Sequence, residues 1–310
     1  MMKVFLTGSS GFVGHHILSA FSLKHEVTCF GRQRPIGWQG KYVKGQLQDI
    51  ETEKLELTNV DVVVHSAARA HVMQDNSSNS LDEYRKINTV GTLELAQQAA
   101  SQGVKRFIFI SSIKVSGEAT TSEAFTADGV RAPQDDYGLS KSEAETQLLE
   151  LGDQTGMEIV IIRPPLVYGP GVKANFASLY KLAGKGWPLP LGCVTENRRS
   201  LVSVYNLLSF IEVCLEHPNA ANQVFLVSDG QDVSTRTLIE LLASAQGRKV
   251  LMLPVPMSLF KLVGRLTGKS AVIERLAGSL QVDIHKNERM LDWTPPFSME
   301  QSLALMSKSL

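Results

Sequence analysis

The chain predicts an α/β protein, a doubly wound parallel sheet with a smaller, mostly helical C-terminal substrate domain. Three observations support this. Short apolar runs alternate with helical patterns through the first half of the 310 residues. Those runs are rich in Val, Ile and Phe throughout, as strands buried on both faces are, instead of alternating with polar residues. The first run opens into three evenly spaced glycines and then a helix, Lys3-Val-Phe-Leu-Thr-Gly-Ser-Ser-Gly-Phe-Val-Gly14. Strand–helix alternation of this kind winds with right-handed crossovers.

Element by element, residues 3–7 read as a strand and 11–21 as a helix. Strands follow at 26–30, 41–44 and 61–65, then a long amphipathic helix across 81–102. A fifth strand spans 106–111, a helix 137–151 and a sixth strand 158–163. Beyond Arg163 the character changes, because Pro164, Pro165, Gly169, Pro170 and Gly171 break regularity and glycines and prolines cluster again at 184–192. Residues 223–228 look like a returning strand, and 233–310 are mostly helical. We therefore expect a dinucleotide-binding domain of residues 1–165 plus about 200–228. A substrate domain of about 166–199 plus 229–310 would sit over the carboxyl ends of the strands, where open α/β sheets bind ligands. The most apolar stretch, 250–263, carries two prolines and Lys261; it reads as a buried loop and helix, with membrane-surface contact the lesser option.

Bulk properties remove several classes of function. Hydrophobic content of 43%, charged content of 20% and a formal net charge of zero suit a globular protein and give nucleic acid no reason to bind. Cys29, Cys193 and Cys214 match neither a disulfide framework nor a metal-ligand spacing. The N-terminus runs straight into a strand, and no run of about 18 uncharged apolar residues is present, so a cytoplasmic location without a spanning segment is expected.

Gly8, Gly11 and Gly14 follow G-x-x-G-x-x-G, one residue away from the G-x-G-x-x-G dinucleotide fingerprint. The physics is shared: a tight turn after a strand, close backbone approach to a pyrophosphate, and a helix N-terminus offering free N–H groups. Ser10, Phe12 and Val13 complete that cofactor-binding turn. At the end of the second strand a carboxylate would bind the ribose 2′-hydroxyl of NAD, yet the chain reads Cys29-Phe30-Gly31-Arg32-Gln33-Arg34. Arg32 can pair with a 2′-phosphate, so NADP(H) is favoured over NAD(H); the bland alternative is that Arg32 and Arg34 are solvated loop charges.

Tyr137 stands four residues before Lys141, on the same side of a helix. A free phenol with a pKa of about 10 is a poor base near neutrality, and an adjacent ammonium is expected to lower it. After a strand–glycine–helix opening, that pair describes a hydride-transfer enzyme with Tyr137 as its acid/base.

These features resemble the extended short-chain dehydrogenase/reductase family, in the branch labelled NAD-dependent epimerase/dehydratase, and the resemblance implies a Rossmann-type fold. Its motifs fall in order: Thr7-Gly-Ser-Ser-Gly-Phe-Val-Gly14, Val64-His-Ser-Ala-Ala68, Asn88-Thr-Val-Gly91, Phe109-Ile-Ser-Ser112, Tyr137-Gly-Leu-Ser-Lys141 and Arg163-Pro-Pro-Leu-Val-Tyr-Gly-Pro-Gly171. Leu291-Asp-Trp-Thr-Pro295 is similar to the family's closing motif. The resemblance implies sugar nucleotide or sugar diphosphate-lipid chemistry through a keto sugar. It implies that Ser112 bonds the reacting sugar oxygen beside Tyr137 and that Lys141 also holds the nicotinamide ribose. Gln46, Leu47, Ala67, Ala68 and Pro164 would line the cofactor groove, Arg69, Asn175 and Arg199 would face the substrate, and Asn88 would brace the active-site helix. Arg199 has a rival reading as a surface charge, and for His71 a loop-surface position is the expectation. Homodimerisation through the two long helices also follows by resemblance.

Departures narrow the activity. Ser112-Ile113-Lys114 stands where the family's dehydratases carry Thr-Asp-Glu, so the acid/base pair for eliminating water is missing. Leu166 replaces a frequent Asn and Gln46 a frequent Asp. The favoured expectation is an NADPH-dependent 4-keto-sugar reductase for surface polysaccharide. The alternative is a UDP-glucose or UDP-N-acetylglucosamine 4-epimerase with tightly bound NAD. A non-catalytic dinucleotide sensor is the third reading, and retention of both Tyr137 and Lys141 argues against it.

Overall fold

The computed structural model describes residues 1–52, 54–69, 79–268 and 270–308. Among them a seven-stranded, wholly parallel sheet runs β3-β2-β1-β4-β5-β6-β9. Its strands are β1 (Lys3–Thr7), β2 (Glu26–Gly31), β3 (Tyr42–Lys44), β4 (Val62–His65), β5 (Arg106–Ile110), β6 (Glu158–Arg163) and β9 (Gln223–Leu226). The order reverses between β1 and β4, and at such a switch point a crevice opens above the strand ends. This is the doubly wound sheet that the apolar runs predict, with boundaries within two residues of those expected.

Both faces are covered. Val4 and Leu6 of β1 pack with α1 (Phe12–Phe21) and α6 (Val204–Glu216), through Ile17, Phe21, Phe210 and Ile211. Phe5 between them points the other way, as strand pleating requires, into a core shared with α3 (Gly91–Ser101) and α4 (Asp136–Thr155). Asp135 caps α4 by accepting from the Gly138 amide at 2.7 Å, and Gly156 ends it in the left-handed region at φ 77°.

The helix expected across 81–102 is present over residues 80–101 but is not α-helical throughout. It consists of α2 (Ser80–Tyr84), a π-helical turn over Arg85–Val90, and α3. The wider turn carries Asn88, which is fully buried.

Beyond β6, β7 (Leu166–Tyr168) and β8 (Leu201–Ser203) form a separate parallel pair, with α5 (Ala174–Gly184) between them in sequence. Tyr168 donates to Asp229 at 2.6 Å, and Asp229 also accepts from the Ser203 amide and from Asn206. A further core joins α5, α7 (Thr235–Ala245) and α11 (Met299–Lys308). Helices α8 (Met257–Leu266), α9 (Ser270–Ala277) and α10 (His285–Leu291) complete the chain. The stretch expected to be buried at 250–263 is corrected in part. Met257 and Phe260 pack on the core, but Leu251, Leu253, Leu259 and Leu262 are exposed.

Candidate active site

The crevice begins at the glycine turn. Gly8 takes φ +76°, and a Cβ there would stand 2.6 Å from the Ala67 amide nitrogen, so the first turn residue lies against the end of β4. A Cβ on Gly14 would fall 2.1 Å from the Gly8 carbonyl oxygen, so helix α1 packs directly under the turn. Gly11 differs: a Cβ there meets only the Gly8 carbonyl oxygen, at 3.2 Å. No side chain caps α1, and its first amides, at Phe12 and Val13, face the turn opening. Backbone bared by glycines at an uncapped helix start fits a pyrophosphate. Ser10 is exposed at the turn; Ala67 is half-buried and Ala68 exposed at the end of β4.

Along the adenosine side, Gln46 is exposed and donates to Asp49 at 3.1 Å. The Leu47 carbonyl lies so close to Gly91 that a Cβ there would come within 2.5 Å. Arg32 is exposed at the end of β2. Arg34 is engaged locally, donating to the Trp38 and Gly40 carbonyls and lying over the Tyr42 ring at 5.1 Å.

Ser112, at the end of β5, and Tyr137, in the first turn of α4, come together: the serine hydroxyl is near enough to the phenol to pull its pKa down. Ser112 also accepts from the Lys114 amide at 3.2 Å. Lys141, one turn on, is 1% exposed, with its ammonium 3.9 Å from the Phe109 ring centroid. Phe109 also stacks on His65, which is held between the Thr7 and Thr92 hydroxyls at 2.8 and 3.0 Å. Burial, and then the charge of Lys141, hold His65 well below its ordinary pKa, so the ring is neutral. Pro164 is buried, and its carbonyl accepts from the Ile113 amide at 3.0 Å.

The electrostatics correct one expectation. Burial pushes the Tyr137 phenol up to about 12, with the Ser112 hydroxyl opposing and Asp135 adding to the rise. Burial pulls Lys141 down to about 7, against the pull of Glu145. Desolvation acts on both groups and favours both neutral forms, so the chain by itself does not turn the phenol into a ready base. Tyr137 is held as an acid, and Lys141 titrates near neutrality.

Asn88 binds three groups at once. It accepts from the Arg69 amide at 2.8 Å and donates to the Arg69 carbonyl at 3.2 Å and to Ser140 Oγ at 3.1 Å. It thus ties the strand-end loop to α4 next to Lys141. The Arg69 guanidinium lies over Tyr84 at 5.4 Å, and Tyr84 meets Tyr137 edge-on at 6.1 Å. Arg69 is therefore separated from Tyr137 by the Tyr84 ring. His71 lies outside the described residues. Asn175, exposed in the first turn of α5, makes no hydrogen bond to the Ser112–Tyr137–Lys141 group. Arg199 is half-buried, which lowers its pKa, and donates to the Gly278 carbonyl at 3.2 Å. That position does not fit the rival reading of a free surface charge.

Sequence reasoning missed the group beneath Lys141. Glu145 is fully buried and accepts from Ser111 at 2.5 Å and from Arg163 at 2.6 Å. The available signal was the spacing, since Tyr137, Lys141 and Glu145 recur every four residues along one helix stripe. Lys114, in the place of a dehydratase carboxylate, is bound to Asp135 at 2.5 Å and Glu118 at 2.8 Å.

A glycine-cradled helix start after β1, with a serine, tyrosine and lysine at the end of β5 and the start of α4, fits an oxidoreductase-type enzyme built around a nicotinamide dinucleotide. The profile of the NAD dependent epimerase/dehydratase family matches residues 4–228, and the chain belongs to that family, within the extended short-chain dehydrogenase/reductases. The chain is 51% identical over 303 residues to a UDP-glucose 4-epimerase of Vibrio cholerae, covering 96% of this chain and 92% of that one. An Escherichia coli O157:H7 N-acetyl-α-D-glucosaminyl-diphospho-ditrans,octacis-undecaprenol 4-epimerase is 27% identical over 317 residues, covering 97% and 93%. Among solved structures, a Thermotoga maritima UDP-glucose 4-epimerase with UDP-glucose superposes with TM-score 0.76 at 22% identity, covering 99% of this chain and 98% of that one. A Pseudomonas aeruginosa protein complexed with NADPH gives 0.75 at 23%, covering 100% and 99%.

Proposed function

We propose that the protein is a nucleotide-sugar 4-epimerase that inverts C4 of a UDP-linked hexose or N-acetylhexosamine while retaining NAD. The near full-length likeness to the Vibrio cholerae protein carries this reading. It takes precedence over the reductase reading, whose particular support was Arg32. That side chain is exposed just past the end of β2.

When bound, the nicotinamide supplies a reversible hydride acceptor for the sugar C4 and, oxidised, a positive charge beside the phenol. Tyr137 moves the proton on the sugar O4, taking it as C4 is oxidised and returning it when the opposite face is reduced. Its pKa of about 12 suits the returning step, and the forward step starts from the phenolate. Ser112, beside the phenol, donates to the same oxygen as charge develops there. Lys141, at about 7, is charged in part near neutrality, and that charge one turn along the helix favours the phenolate without any net proton change over the cycle. Gly8, Gly11 and the first amides of α1 hold the pyrophosphate, and Gln46 and Leu47 border the adenosine. Arg69 and Arg199 take the charged and polar parts of the substrate. No carboxylate follows Ser112 in the next two positions, and Lys114 is committed to Asp135 and Glu118, which disfavours loss of water from the sugar.

The test is to mix the purified protein with UDP-glucose, and separately UDP-N-acetylglucosamine, without added cofactor. The C4 epimer is followed by NMR, and the co-purifying dinucleotide is identified by mass. Epimer formation with retained NAD is the expected result. Mole-for-mole consumption of NADPH with a 4-keto sugar, and no epimer, would overturn the reading in favour of the reductase.

A further inference from the structure

Helix α8 is apolar on two opposite faces. Met257 and Phe260 pack on the C-terminal core. Leu259, Leu262 and Leu266, spaced i, i+3 and i+7, form a stripe on the other side and are 48%, 53% and 77% exposed. The segment leading into α8 carries further exposed apolar residues. Leu251 and Leu253 are exposed where residues 251–253 pair with Leu189, and Trp187, two residues earlier, is 60% exposed with the Lys185 ammonium 4.6 Å from its ring centroid. Exposed leucines in this number, with an aromatic, mark a surface that meets something apolar.

Charge identifies the occupant. Residues 247–273 hold five Lys/Arg and neither Asp nor Glu; residues 172–195 hold three Lys and again no acid. The chain as a whole is neutral, so both segments are basic relative to the rest of the sequence. A two-fold contact with a second copy would set that charge against itself. An anionic bilayer surface satisfies both features, because leucines enter the acyl boundary, tryptophan sits at headgroup level and the cations meet phosphates.

We infer that the α8 face, with the Trp187–Leu189 and Leu251–Leu253 segments, is a docking surface for anionic membrane lipid. Helix α9, which follows α8, ends at Ala277, and the carbonyl of the next residue, Gly278, accepts from Arg199. This inference is independent of which sugar or cofactor the enzyme takes.

Co-sedimentation of the full chain with vesicles tests it, comparing phosphatidylcholine alone with phosphatidylcholine containing phosphatidylglycerol. Binding should require the anionic lipid and weaken at high salt. The Leu262→Glu, Leu266→Glu double variant should bind roughly tenfold or more weakly with an unchanged thermal midpoint. If that variant unfolds, Arg248→Glu with Lys249→Glu, which leaves α8 untouched, should produce a similar loss on anionic vesicles. Failure of the wild-type chain to bind anionic vesicles would overturn the inference, as would equal binding by folded variants. Conversion of a vesicle-free dimer to monomer by the leucine substitutions, seen in sedimentation velocity, would also overturn it by assigning the face to a second copy.

Discussion

Replacing Lys141 by Met should make the protein more stable and catalytically inert, and the gain should depend on pH. The ammonium is almost wholly buried. Its pKa falls from 10.5 to about 7, which at about 1.4 kcal/mol per pH unit corresponds to roughly 5 kcal/mol of burial cost. Below about pH 7 both folded and unfolded chains carry the proton and the full cost is felt. Between about 7 and 10.5 the unfolded chain holds one proton more, so wild-type stability rises with pH at about 1.4 kcal/mol per unit. Methionine keeps most of the volume without the charge but loses the contact with Phe109, worth roughly 0.5–2 kcal/mol. The net expectation is a variant about 3 kcal/mol more stable at pH 6 to 7, with the gap closing towards pH 10. Urea unfolding of both dinucleotide-stripped proteins at several pH values measures it, and keeping them stripped avoids the stabilisation that bound cofactor adds. A variant less stable at pH 7, or a gap that stays constant with pH, would refute the assignment of Lys141 as a buried, destabilised base.

Tyr137→Phe should lower turnover by about 10²–10⁴-fold while dinucleotide binding, followed by fluorescence, is unchanged; retained turnover removes the tyrosine from its role. Gly14→Ala should yield little soluble protein, since its Cβ meets the Gly8 carbonyl at 2.1 Å, whereas Gly11→Ala should fold and show its defect in dinucleotide affinity. A folded Gly14→Ala protein with normal affinity contradicts the packing described. Glu145→Gln leaves Arg163 charged and buried against an amide, and should cost about 3–5 kcal/mol in chemical denaturation. A loss below about 1 kcal/mol would mean that water or another group replaces the carboxylate.

The sheet was legible because its strands are buried on both faces, so their apolar runs need no partner to be recognised. Ser112, Tyr137 and Lys141 were legible for a related reason: the end of β5 and the start of α4 must meet above the sheet. Desolvation was not. That Tyr137 rises and Lys141 falls depends on what covers them, and covering residues such as Phe109 and Tyr84 are distant in sequence. The Glu145–Arg163 pair joins a helix to a strand across 18 positions, a separation no local pattern encodes. At 250–263, apolar residues suggested burial, yet periodicity cannot say whether the second face of a helix has a neighbour within its own chain.

The turn over Arg85–Val90 has a consequence of a different kind. A π-type turn holds one residue more than an α-helical turn, so the helix on either side is offset by the roughly 100° each residue contributes. Excising a single residue there would leave an unbroken, well-formed helix, but Asn88 would swing away from Ser140 and the Arg69 backbone. The link between the cofactor edge and the catalytic helix is thus written into the chain as a length, and a scan that substitutes side chains without changing their number would never reveal it.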